Sequence, residues 1–276
     1  MNIKMIGLDL DRTTLASNHE MSERTENTLK KVAEKGVHVV IATGRSFYSM
    51  PPSVHRIDGI EYTVNSNGAE IRELKTGKKV YTDYLDREEV VKIVEFLRKK
   101  NFSVEFFNDG KAYINTDQYE RVREGKAQRR ARDYVLETRN PVPDVYDFAL
   151  EHKDAIENIN VFFDTDEEKE KTWEEAKLFK NVTLTSSLPD NIEFGGLTTS
   201  KANALLHIAE ELGVKKEEIM CCGDSLNDRE MLLMAGFPVA VANACKEIKE
   251  IAAYETDTND NDGVAKALEK FILNEE

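Results

Sequence analysis

The stretch IKMIGLDLDRT, residues 3–13, decides how this chain is read. Residues 3–10 form a short apolar run bounded by charge, which predicts a buried strand. Downstream, Ser22 is placed to cap a helix whose apolar residues Leu29, Val32 and Ala33 fall at i, i+3 and i+4, and Gly36 is placed to end it. The run VHVVIA, residues 37–42, is nearly continuous in β-branched residues, as in strands covered on both faces. Strand, helix and strand within about 40 residues make a βαβ unit and imply a parallel sheet.

The same alternation returns late in the chain. Residues 201–212, 228–235 and 263–273 are predicted helices, and 219–222 and 239–242 predicted strands. The two ends are therefore expected to form one doubly wound, parallel-sheet, Rossmann-like α/β core from residues 1–83 and 189–276. Between them, 84–188 have a different texture. Asp86 and Glu89 are spaced as a capping-box pair for a helix over 86–100. Residues 102–116 alternate around Asp109-Gly110, a strong hairpin signal. Two helix-then-strand passages follow, ending in INVFF (159–163) and NVTLTS (181–186), so an inserted α/β unit is expected. A chain of 276 residues, at roughly 150 per domain, fits two domains.

Composition narrows the function. With 38 basic and 52 acidic residues the net charge is −14, which argues against nucleic acid or an anionic membrane as partner. The longest apolar-rich run, 231–242, contains Gly236 and Pro238 and falls short of the about 20 residues a membrane helix needs. Asp9 and Asp11 interrupt the start before a signal-like region forms. The cysteines, Cys221, Cys222 and Cys245, suit neither a disulfide framework nor zinc knuckles, and the adjacent pair is expected in the core. No two histidines stand at helical ligand spacing. A reduced, cytoplasmic protein is expected. Residues 118–135 are locally basic; a solvated helix face explains them more simply than attraction of anionic substrates.

Asp9 and Asp11 fall at the carboxyl end of the first strand, the edge where open α/β sheets bind ligands. Carboxylates at i and i+2 of an extended chain point the same way, roughly 6–7 Å apart. They can flank one phosphoryl group in different roles. An acidic chain makes this spacing cheaply, and Asp164/Asp166 and Asp260/Asp262 repeat it; the former reads better as a helix N-cap. Thr43-Gly44-Arg45 ends the second strand, where a hydroxyl and freed N–H groups can hold phosphate, or simply turn the chain. Gly223-Asp224-Ser225-Leu226-Asn227-Asp228 puts an acidic cluster at another strand end, which suits Mg2+ and its oxygen ligands. Lys201 opens a helix, either as a phosphate clamp or as a solvated lysine.

Taken in order, DLDRT, Thr43, Lys201 and GDSLND resemble the four motifs of the haloacid dehalogenase (HAD) superfamily. The large insertion, the Asn67-Gly68-Ala69 turn, Asn243-Ala244 and Asp262-Gly263-Val264 resemble its Cof-type phosphatases, with an α/β cap. The resemblance implies a phosphatase of small phosphorylated metabolites, sugar phosphates or phosphorylated cofactors such as pyridoxal phosphate or FMN. It implies Asp9 as nucleophile, forming an aspartyl-phosphate, and Asp11 as general acid and base. Leu10, Thr43, Gly44, Lys201 and Asn227 would bind phosphate. Asp9, Asp224 and the backbone carbonyl of Asp11 would bind Mg2+, with Asp228 orienting its shell or merely capping a helix. Arg45 would reach substrate or brace its loop. Two alternatives stay open: a sugar phosphomutase, disfavoured because no cap arginine cluster is assignable to a bisphosphate intermediate, and a non-catalytic phosphate-ligand sensor. Arg12 departs from the family, which usually has a small or acidic residue there, most often Gly; it would reach the leaving group or lie in solvent. Ala242 replaces a common Gly. The pattern specifies neither the physiological substrate nor an oligomeric state.

Overall fold

The computed structural model describes residues 2–100, 102–127 and 129–275. In chain order its strands are β1 (Met5–Leu8), β2 (His38–Ala42), β3 (Ile60–Asn65), β4 (Glu70–Glu73), β5 (Lys79–Thr82), β6 (Ser103–Asn108), β7 (Lys111–Asn115), β8 (Arg139–Val142), β9 (Ile156–Phe162), β10 (Val182–Thr185), β11 (Asn191–Gly196), β12 (Ile219–Gly223), β13 (Phe237–Ala240) and β14 (Tyr254–Glu255). The chain divides into two compact units. One holds the residues up to Gly44, Met50–Tyr81 and everything from Ser200 onward; the other holds Arg45–Ser49 and Thr82–Thr199.

The first unit is built on an eight-stranded sheet in the order β14-β13-β12-β1-β2-β3-β4-β5. From β14 to β3 the pairings are parallel; β4 then runs antiparallel to β3. Every residue of β1 and β12 is buried, so both faces of the sheet centre are covered. The helix Glu23–Glu34 starts as expected at Ser22, whose hydroxyl accepts from Thr25 N, and packs against Gly263–Leu268. The helix Lys201–Glu211 packs against Arg229–Met234 and lies close on β1: a Cβ at Gly7 would fall 2.7 Å from Leu205 Cδ1. Cys221 and Cys222 are fully buried in β12, as core residues. Burial pushes the Cys221 thiol up to about 12, leaving it inert.

The second unit has a six-stranded sheet in the order β10-β11-β9-β6-β7-β8, antiparallel except for β7 with β8. The β6–β7 hairpin turns at Asp109 and Gly110, both left-handed at φ 48° and 72°, as the Asp-Gly pair predicts. Val104 and Phe106, Ile159 and Val161, Ile192 and Phe194 join a core with residues of the helices Arg87–Leu97 and Val145–Glu151. Glu105, Asn160, Asn191 and Glu193 alternate with these residues along the same strands, and all are buried.

Several boundaries differ from the sequence reading. The first strand stops at Leu8 rather than residue 10, because the chain turns there so that Leu15 N can reach Leu10 O at 2.8 Å. Residues 189–199, expected in the core, lie in the inserted unit, since β11 forms ladders with both β9 and β10. The helix cap near Asp164 and Asp166 is Thr165, whose hydroxyl accepts from Glu168 N. Among the described residues no helix is long and apolar enough to cross a membrane.

Candidate active site

In the first unit the strand order reverses at β1: β2 and β3 lie to one side, β12 and β13 to the other. Such a switch point opens a crevice beyond the carboxyl ends of the strands. Asp9 follows β1, Thr43 follows β2 and Asp224 follows β12, so three of the sequence-predicted segments converge on that edge.

The charged centre is built from four buried side chains. Lys201 Nζ donates to Asp9 Oδ1 at 2.6 Å and to Asp228 Oδ1 at 2.7 Å. The other Asp228 oxygen accepts the backbone N–H groups of Asp224 and Ser225, at 2.9 and 3.0 Å. Asp228 thus caps the turn, one of the two roles the sequence left open, and contacts the lysine at once. Gly223 makes room for it, since a Cβ there would sit 2.6 Å from Asp228 Cβ. Asp224 is fixed by Ser225 Oγ at 2.8 Å and by Thr13 Oγ1 at 3.2 Å.

Three carboxylates against one ammonium leave a surplus of buried negative charge. Burial and the Asp228 charge together hold the Asp9 carboxyl well above its ordinary range, despite Lys201. Burial and Asp228 likewise push Asp224 up to about 6. Burial works against the Lys201 charge, yet Asp228 and Asp9 outweigh it and keep the ammonium firmly protonated. Asp9, Asp224 and Asp228 each present an oxygen within 4.8 Å of the others. Hard oxygen donors, closely spaced and over-charged, fit Mg2+.

Thr43 and Gly44 meet Asn227 through a residue that sequence reasoning used only as a family signal. Asn67 N donates to Thr43 O at 3.1 Å, and Asn227 Nδ2 donates to Asn67 Oδ1 at 3.1 Å. A Cβ on Gly44 would lie 3.1 Å from the same oxygen. Ser66, Asn67 and Gly68 are all left-handed, at φ 51°, 58° and 111°. At Gly68 a Cβ would fall 2.2 Å from Ser200 O, so only glycine lets this turn lie against the start of the Lys201 helix.

Asp11 stands apart from the buried cluster. Its carboxyl is 40% exposed and lies 3.7 Å from His19 Nδ1. Arg12, read as either reaching the leaving group or solvated, is half-exposed, with Nε 3.8 Å from Asp224 Oδ2. Its backbone is left-handed at φ 60°, a conformation that favours glycine. Leu10 is buried, and its carbonyl closes the turn by accepting from Leu15 N.

In the second unit, Arg45 braces its own loop: Nη1 donates to Ser49 O at 2.9 Å, and its guanidinium lies 4.5 Å from the Tyr134 ring centre. The basic stretch is mostly paired surface, as Lys126 with Glu124 and Arg129 with Asp166 show. Arg130 is the exception. With Arg139 it pairs with buried Glu105, so two arginines distant in sequence converge on one carboxylate in this unit. Burial raises the Glu105 carboxyl, but the two guanidiniums outweigh it and hold it below its ordinary value.

Residues 6–268 match the family model of the haloacid dehalogenase-like hydrolases. The chain is 29% identical to phosphatase YwpJ of Bacillus subtilis, covering 98% of this chain and all of that protein. It is 30% identical to the 5-amino-6-(5-phospho-D-ribitylamino)uracil phosphatase YcsE of the same organism, covering 99% and 97%. A solved haloacid dehalogenase-like hydrolase from B. subtilis superimposes with a TM-score of 0.84 at 28% identity, over 98% of this chain and all of that one. By sequence and fold, this chain belongs to the haloacid dehalogenase-like hydrolases, in their Cof-type phosphatase branch.

Proposed function

We propose that the protein is a Mg2+-dependent phosphatase of small phosphorylated metabolites, sugar phosphates or phosphorylated cofactors, working through an aspartyl-phosphate on Asp9. The observation that carries this reading is the buried Asp9 carboxylate, 2.6 Å from Lys201 Nζ at the switch point of the sheet. A carboxylate nucleophile must be ionised although its surroundings disfavour charge, and the Lys201 ammonium supplies the opposing charge. Asp9 attacks phosphorus, and the ester oxygen leaves with a proton from Asp11. Asp11 then takes a proton from the water that attacks the acyl phosphate, which releases inorganic phosphate and restores Asp9. Thr43, Asn227 and the N–H groups of Leu10 and Gly44 would hold the transferring oxygens. Mg2+, bound by Asp9, Asp224 and the Asp11 carbonyl with Asp228 behind them, would offset the repulsion between a phosphate dianion and a carboxylate.

The inserted unit would select the substrate and exclude water. A phosphorylated polyol joined to a uracil ring suits this reading, as the name of the YcsE relative describes such a substrate. Three free cysteines, two of them buried, support a reducing, cytoplasmic setting. Phosphate release from about a hundred phosphorylated metabolites, with and without Mg2+, tests the proposal. Turnover of several sugar or cofactor phosphates, abolished by EDTA, is expected. Full activity in excess EDTA, or release from none of them, contradicts it.

A further inference from the structure

The turn that follows the nucleophile is strained, and a distant residue holds it. Arg12 is left-handed at φ 60° and ψ 8°. That conformation is strained for an L-residue with a side chain, so something must oppose relaxation. Asn243 does so: its Nδ2 donates to the Arg12 carbonyl at 2.8 Å, and its Oδ1 accepts from Asn259 N at 3.0 Å. Asn259 Nδ2 in turn donates to Leu15 O at 3.0 Å. Two asparagines more than 230 residues away thus grip the two ends of the turn. Between them, Thr14 Oγ1 donates to Asp9 O at 2.5 Å and Thr13 Oγ1 to Asp224, which ties the gripped segment to the nucleophile and the acidic cluster.

We propose that Asn243, backed by Asn259, is a positioning residue for Asp11. By holding the Arg12 carbonyl it maintains the left-handed turn and so fixes the direction in which the preceding carboxyl projects. A half-exposed side chain takes much of its aim from its backbone, so relaxation of the Arg12 turn would re-aim Asp11, while Thr13 and Thr14 hold the rest of the segment to the buried cluster. This chain depends on the clamp more than one with glycine at position 12, because glycine adopts positive φ without strain. The inference rests on Asp11 being the proton donor to the leaving group.

The test compares kcat/KM for p-nitrophenyl phosphate, whose phenolate leaves without a proton, and for an alkyl phosphate such as glycerol phosphate, whose alkoxide needs one. This ratio covers only the steps up to departure of the leaving group and not hydrolysis of the shared aspartyl-phosphate. Asp11→Asn and Asn243→Asp are measured beside the wild type. Asn243→Asp keeps the acceptor for Asn259 but turns an oxygen towards the Arg12 carbonyl. A positioned acid contributes about 100- to 10,000-fold, so its partial misplacement should lower alkyl-phosphate kcat/KM about 10- to 100-fold, with that of p-nitrophenyl phosphate within about threefold. Arg12→Gly in the Asn243→Asp background should recover most of the loss. Asn259→Ser should give the same split more weakly, and carries the test should the Asn243 variant not fold. Equal losses on both substrates, or no loss, while Asp11→Asn alone shows the split, would overturn the clamp. No split in Asp11→Asn would remove the proton-donor reading instead, and the clamp with it.

Discussion

A lysine with no exposure stays charged here only because two carboxylates face it at hydrogen-bond distance. Removing it would strand three buried carboxylates together. Loss of one partner from a buried pair typically costs about 3–5 kcal/mol, so Lys201→Met should lower the urea midpoint accordingly. Mg2+ should then raise the melting temperature of the variant more than that of the wild type, because the cation offsets a larger surplus of charge. An unchanged midpoint would contradict the charge balance described for the cluster. Arg12 shows the limit of reading residues alone. Its departure from the family was visible, but the left-handed backbone and the approach to Asp224 depend on a fold-wide arrangement.

At the scale of elements, local signals were legible and long-range partnerships were not. The Asp109-Gly110 hairpin and the Ser22 cap involve neighbours in sequence and formed as read. Strand β11 was assigned to the wrong unit because its partner β9 lies some thirty residues earlier, and no local pattern marks the pairing. The Asn67-Gly68-Ala69 turn reads as a family signature, whereas its role in joining Thr43 to Asn227 depends on partners far away in sequence. Gly68→Ala should destabilise the protein by more than about 1 kcal/mol, since both the φ of 111° and the Ser200 carbonyl forbid a Cβ. Urea denaturation checks this, and a wild-type midpoint would contradict it.

The Glu105 pairing gives a pH-dependent expectation at the same scale. Its carboxyl is held below the ordinary value, so the stabilisation is present above that value and is lost as pH falls through the lower folded-state one. Glu105→Gln should be less stable than wild type at pH 7 by about 3–5 kcal/mol. The gap should narrow on acidification below about pH 4.3, where the unfolded-state carboxyl is protonated. A gap independent of pH in urea midpoints would contradict the pairing.

For the whole molecule, what mattered most was the order of motifs along the chain. A doubly wound sheet brings successive strand ends to one edge, so DLD, Thr43 and GDSLND could be expected to meet even though Asp9 and Lys201 are 192 residues apart. The arginine cluster around Glu105 and the Asn243 grip on Arg12 obey no such rule, which is why they were not legible. The proposed chemistry turns on a single bond, between an Asp9 oxygen and phosphorus. Acid quench during steady-state turnover, followed by mass spectrometry of the peptides, tests it directly. A phosphoryl adduct on the peptide containing Asp9, absent from Asp9→Asn together with phosphate release, is expected. An Asp9→Asn enzyme keeping more than about a tenth of kcat, or an adduct on another residue, would contradict it.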